Sequence, residues 1–211
     1  MLEDDWENFL NSGELDITCR NSDETDYKKI PKASDLYIST KTKIVYMNKY
    51  IELNKLFWDI YIIPYNTLTD GIIKKQMKFI SNHNNELKDI QSKCLKYDIV
   101  DEYIIQHVEQ QHGDTTMYKD VRKISIGISN KDLLSQRSKK KSAFYNCFVI
   151  ILRLLYKNAF KEIHVKVFNT GKLEIPGIQN DEILEIVLIN ILKILEKILN
   201  NKLEILHNKT E

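Results

Sequence analysis

The stretch from Lys161 to Asn200, KEIHVKVFNTGKLEIPGIQNDEILEIVLINILKILEKILN, constrains the fold more than any other part of the chain. Ile163, Val165 and Val167 alternate with His164, Lys166 and Phe168, the period of a half-buried strand. Asn169-Thr170-Gly171 follows as a hairpin turn, with Gly at the position that most needs a positive φ. Folding the chain there sets Phe168 opposite Lys172, Lys166 opposite Glu174 and Val165 opposite Ile175. The sidedness then agrees across both arms. Val167, Leu173 and Ile175 point one way, and Phe168, Lys172 and Glu174 point the other. Gly177 and the Asn180-Asp181-Glu182 cluster end the second arm and open a helix over roughly residues 181–199, with carboxylates in the first turn where the helix dipole favours them. Ile183, Leu184, Val187, Ile191, Leu195 and Ile198 recur at helical spacing. Ile186, Leu188, Ile189, Leu192 and Ile194 widen that face, so the helix needs cover from the hairpin and from a partner.

A chain of 211 residues can hold one domain with a real core plus tails. The net charge of +1 gives no bulk basic excess of the kind many DNA-binding domains carry. The balance hides an asymmetry. Met1 to Asp26 holds nine Asp and Glu against the single basic residue Arg20. Residues 1–30 therefore read as an acidic, mostly unfolded arm. Within it Trp6, Phe9 and Leu10 fall on one side of a short helix. They suit an amphipathic docking motif for a partner groove, or a cover for a patch on the same domain; the arm could also fold back over a basic face. Cys19, Cys94 and Cys147 are odd in number and widely spaced, with no secretory signal and no C-x-x-C pair, which fits reduced thiols in an intracellular compartment. The apolar C-terminal helix is interrupted by Glu182, Glu185, Asn190, Lys193, Glu196 and Lys197, so no membrane span is expected.

Taken in order, residues 36–47 (LYISTKTKIVYM) alternate as a strand, and residues 50–60 (YIELNKLFWDI) follow as a short helix. Residues 72–80 (IIKKQMKFI) read as a strand with Lys74, Gln76 and Lys78 on one side. Residues 82–120 carry Leu87, Ile90, Cys94 and Tyr97, then Val100, Ile104 and Val108, at steps of three to four, which predicts one or two amphipathic helices inserted at the sheet edge. His107, His112 and Asp114 in this segment have unconvincing spacing for a metal site. Residues 123–129 (KISIGIS) form a short strand. The basic run Arg137, Lys139, Lys140 and Lys141 precedes a strongly apolar strand, residues 144–154 (FYNCFVIILRL). Placing Phe144, Phe148, Ile150 and Leu152 in the core leaves Tyr145, Cys147, Val149, Ile151 and Arg153 on the opposite face. No Gly-rich phosphate loop, paired nucleophile and base, or metal cluster emerges, so neither catalytic residues nor a cofactor are expected.

Phe168-Asn169-Thr170-Gly171-Lys172-Leu173-Glu174-Ile175-Pro176-Gly177 followed by a long helix resembles the late hairpin and helix of one TATA-box-binding protein repeat. The pattern there is Phe, two small residues, Gly-Lys, an alternating strand, a small residue and Gly. The strand-then-helix entry with Ile51-Glu52-Leu53 and the Phe144-Tyr145-Asn146 context are similar to the divergent TATA-box-binding-like proteins of large DNA viruses. The chain departs from the family at three places. Cys147 stands six residues before Arg153, where the repeat has a Phe. Glu174 replaces a small apolar groove contact. One set of elements is spread over residues 36–199, where the family builds a saddle from two.

The resemblance implies an α+β domain over residues 31–200, with a curved antiparallel sheet, helices on its convex face, a helical insertion at 82–120, and a tail at 201–211. It implies a DNA-binding transcription-initiation factor that meets the minor groove of double-stranded DNA through the sheet face and recruits transcription factors or RNA polymerase. A homodimer or a second half-saddle would complete the site. For a viral protein the setting would be the host nucleus or the viral replication site. Phe168 would be the wedge that unstacks a base step. Lys166, Lys172, Arg153 and Tyr145, with Arg137, Lys139, Lys140 and Lys141, would meet phosphates or sugars. A protein-interaction module that keeps the fold without binding DNA is the alternative, and Glu174 favours it.

Overall fold

The computed structural model describes residues 35–112, 115–134, 144–178 and 180–206. Residues 38–206 build an α+β unit around an eight-stranded antiparallel sheet that is not closed into a barrel. The strands are β1 (Thr42–Met47), β2 (Gly71–Ser81), β3 (Val100–His112), β4 (Thr115–Gly127), β5 (Cys147–Tyr156), β6 (Ala159–Phe168), β7 (Lys172–Pro176) and β8 (Ile205–Leu206). The helices are α1 (Leu53–Asp59), α2 (Asn84–Cys94), α3 (Asn130–Leu134) and α4 (Asp181–Leu199). Across the sheet the order is β3-β4-β2-β5-β6-β7-β1-β8.

The stretch that opened the sequence reading folds as its pattern requires. Lys166 pairs with Glu174 and Val167 with Leu173. Ile163, Val165, Val167, Leu173 and Ile175 are buried on the helix side. Gly171 takes φ +82°, and a Cβ there would sit 2.3 Å from the Lys49 carbonyl oxygen. That close approach joins the turn to β1, since Gly171 O accepts from Met47 N at 2.9 Å and Asn169 O accepts from Ile51 N at 2.8 Å. The bounds of α4 are those of the sequence pattern. The Asn180 side chain accepts from Glu182 N, Asp181 and Glu182 fill the first turn, and Asn200 ends the helix in the left-handed region. Ile183, Val187, Ile191 and Leu195, each four apart, form its fully buried stripe. They pack with Leu56 and Phe57 of α1 and Phe148, Ile150, Leu152 and Leu154 of β5 in one continuous core.

Three sequence expectations need correction. The segment 82–120 holds one helix, α2, and then a long β-hairpin, β3 and β4. Val100, Ile104 and Val108 lie four apart, a step that satisfies the period of two as well as that of 3.6, so spacing alone did not separate strand from helix. The first and fifth strands begin later than their apolar runs, at Thr42 and Cys147. Residues 201–211 are not wholly a tail, because Ile205 and Leu206 pair with Met47 and Tyr46 as the sheet's last strand. No helix among the described residues is long and apolar enough to cross a membrane.

Two charged groups lie on the helix side, where alternation puts apolar residues. Lys75 is fully buried between Met77 and a β-bulge at Ile72/Lys74. Its Nζ donates to Phe57 O at 2.6 Å and to Ile60 O at 2.8 Å, the carbonyls at the end of α1, where a cation opposes the helix dipole. The rings of Phe57 and Tyr97 also lie within 5.0 Å of Nζ. Burial lowers the Lys75 pKa to about 8, against an opposing pull from Asp59. In the unfolded chain the same amine keeps its proton up to its ordinary 10.5. Between these values the unfolded state binds more protons, so stability rises with pH across that window. Denaturation midpoints at pH 7.5 and 9.5 should show the native chain gaining stability relative to Lys75→Met as pH rises. Parallel profiles would mean that Lys75 titrates normally.

The second group is an ionic cluster on β3 and β4. Asp120 is fully buried and accepts from Arg122 Nε at 2.6 Å, from Arg122 Nη2 at 2.7 Å and from His107 Nδ1 at 2.8 Å. Arg122 Nη1 reaches Glu102 at 2.7 Å. Burial works against the Asp120 charge, but the hydrogen bonds from Arg122 and His107 outweigh it and hold the carboxyl below its ordinary range. His107 is thus a partner of a buried carboxylate. Among the described residues no three His, Cys, Asp or Glu side chains gather as a metal site.

Candidate nucleic-acid interface

Helices α1, α2 and α4 pack on one side of the sheet through the core. On the other side, register lines the outward residues up in rows. One row runs Gln76, Val149, Lys166, Glu174, Ile44 across β2, β5, β6, β7 and β1. The neighbouring row, toward the Asn169–Gly171 turn, carries Lys78 on β2, Phe168 on β6, and Lys172 with its partner Tyr46. Phe144 and Tyr145 precede β5 at this same end, and each is 63% exposed.

Here lysines and aromatic rings pair off. Lys78 Nζ lies 3.6 Å from the centre of the Tyr145 ring, Lys172 Nζ 5.3 Å from Phe168, and Lys166 Nζ 5.6 Å from Phe144. These are distances at which an ammonium is attracted to a ring face. Glu174 sits between two of the three cations, 3.1 Å from Lys166 and 3.0 Å from Lys172. Burial opposes its ionisation, but the hydrogen bonds from Lys172 and Lys166 prevail and keep it below the usual carboxylate range. The carboxylate is therefore charged and compensated within the face. Lys78 makes no ion pair among the described residues. The adjoining edge hairpin brings one further carboxylate, Asp101, to this side opposite Ser125.

The far end of the same face is covered. Arg153 points to this side but is buried. Nη1 donates to Tyr65 O at 2.7 Å, Nη2 to Thr67 O, and Nε to Thr69 O at 3.3 Å. The guanidinium also lies over the rings of Tyr65 and Phe160. Three of its N–H groups hold the loop between α1 and β2 and the side chain is buried beneath that loop, so the expectation that Arg153 meets phosphate is corrected. Beside it Lys74 is bound by both Asp132 carboxylate oxygens at 2.7 Å, and Asp132 also accepts from the Ser129 amide and hydroxyl. Burial, with the nearby Lys131 charge, lowers the pKa of His164. Cys147 lies on the open side in register with Phe168 yet is buried, which pushes its thiol pKa up.

Of the sequence-derived contacts, Phe168, Lys166, Lys172 and Tyr145 are brought together. Arg137, Lys139, Lys140 and Lys141 lie outside the described residues, as do Trp6, Phe9 and Leu10. Two members of the cluster were absent from that set. Phe144 was expected in the core, but it precedes the first residue of β5, so strand alternation does not reach it. Lys78 was on the correct side of its strand, and only the fold shows that β2 ends beside the start of β5. Neither a protein-family model, nor a curated protein, nor a solved structure matches this chain.

Proposed function

We propose that this chain binds double-stranded DNA through the sheet face opposite α1, α2 and α4, at the end that α3 leaves open, and serves as a transcription-initiation factor of the TATA-box-binding-like type. The observation that carries the reading is the set of three lysine–ring pairs gathered where β2, β5, β6 and β7 meet. A sheet face with cations and partly exposed rings suits minor-groove contact, in which ammonium groups meet the backbone and a ring enters a base step. The order of elements gives further support. A strand and short helix come first and a β-hairpin closed by Gly171 with a long apolar helix comes last, in the order the resemblance implies, with β2 to β5, α2 and α3 between them. In this role Phe168 is the wedge, Lys78 meets a phosphate, Lys166 and Lys172 with the Glu174 they share bring one net positive charge to the backbone, and Tyr145 and Phe144 flank the contact.

Glu174 favours a second reading, a protein-interaction module, because a carboxylate at the centre of the face opposes the DNA potential. Its two lysine partners already compensate it, which weighs toward DNA. Salt separates the two. Binding to an AT-rich duplex should weaken steeply between 50 and 200 mM salt, by about tenfold or more for a few phosphate contacts. Phe168→Ala should cost a further ~1–3 kcal/mol if the ring enters the stack. Absence of salt-sensitive binding at micromolar protein would select the interaction module.

A further inference from the structure

The aromatic residues at this end do more than one wedge requires. Phe144 and Tyr145 are each 63% exposed, and a lysine ammonium lies near each ring. A ring held from one side by a cation offers its other side to a flat ligand. Phe168 adds a third, partly buried ring with Lys172 beside it. A duplex shows flat base faces only where it is unstacked. Interleaved rings and ammonium groups match a strand whose bases are already unpaired, since every base has a π face and every linkage a charge. We propose that Phe144, Tyr145 and Phe168 form a stacking platform for unpaired bases and that this end of the face binds single-stranded DNA. The inference rests on the reading of this face as a DNA surface, and it adds the form of DNA preferred. Lys78 supplies the backbone contact, because no carboxylate among the described residues neutralises it.

The test uses the full-length chain with a labelled oligo(dT) of about ten nucleotides, a size within the range such faces cover, and an AT-rich duplex of equal length. Phe144→Leu and Tyr145→Leu keep apolar bulk and remove the π face; both sites are exposed, so folding is unaffected. The expected result is oligo(dT) binding at least as tight as duplex binding, weakened about tenfold by either substitution, with duplex affinity reduced less. Duplex binding without oligo(dT) binding overturns this inference and leaves the DNA reading intact. Oligo(dT) binding that ignores both substitutions also overturns it. Binding of neither DNA removes the DNA reading and the inference together. An equal-length oligo(U) held tenfold tighter overturns the choice of DNA.

Discussion

Replacing Arg122 with Met is expected to destabilise the domain by about 3–5 kcal/mol, the cost of leaving a buried charge without its partner. Asp120 is fully buried, and Arg122 gives it two of its three hydrogen bonds. Without the guanidinium the carboxylate must take up a proton or draw in water, and His107 alone, partly exposed, is left to hold it. Asp120→Asn in the same background removes the orphaned charge, so the double variant should recover a large part of the loss. The sign with pH follows from the carboxyl's lowered pKa. Its contribution is present above the ordinary value of 3.8 and is lost as pH falls through the lower folded value. Urea denaturation of the single and double variants at neutral pH measures both effects. A single variant within 1 kcal/mol of native would mean the cluster is solvated.

The second large effect is at the hairpin. Gly171→Ala should cost about 3 kcal/mol, more than a strained φ alone commonly does. The residue sits at φ +82°, and the added carbon would lie 2.3 Å from the Lys49 carbonyl oxygen, a backbone atom that no rotamer change can move. Relief requires the turn to part from β1 and break the bonds Gly171 O–Met47 N and Asn169 O–Ile51 N. The turn also fixes where Phe168 and Lys172 stand, so in the proposed function DNA affinity should fall with stability in this variant. Gly177→Ala is the control: it shares the positive φ, but no atom lies within 4 Å of the added carbon, and its cost should be clearly smaller. Equal losses in the thermal midpoints of the two variants would show that only φ matters.

What was legible in the sequence was local. The bounds of α4, the register of β6 with β7, and the need for Gly171 follow from hydrophobic period, turn chemistry and capping, all encoded within a few residues of where they act. The same alternation set Lys74, Gln76 and Lys78 apart from Lys75, which left a lysine among apolar residues; only packing reveals that α1 ends on it. Illegible features depend on distant segments. Arg153 reads as a free cation on an outward position, and its occupation comes from Tyr65, Thr67 and Thr69, more than eighty residues earlier. The edge hairpin was hidden by a spacing of four that serves both periods. The lysine–ring pairs bring together three strands and a loop, so a scan along the chain met each partner alone.

In the proposed function DNA meets the lysine–ring end of the sheet face, away from the end that α3 and the loop between α1 and β2 cover. The most direct test is the slope of log affinity against log salt for an AT-rich duplex, measured for the native chain, for Lys78→Gln, and for Lys197→Gln on the exposed side of α4. Lys78→Gln is expected to lower the slope by about one, the signature of one lost phosphate contact, while Lys197→Gln leaves it unchanged. Equal slopes for all three proteins, or a loss confined to Lys197→Gln, would contradict the proposal.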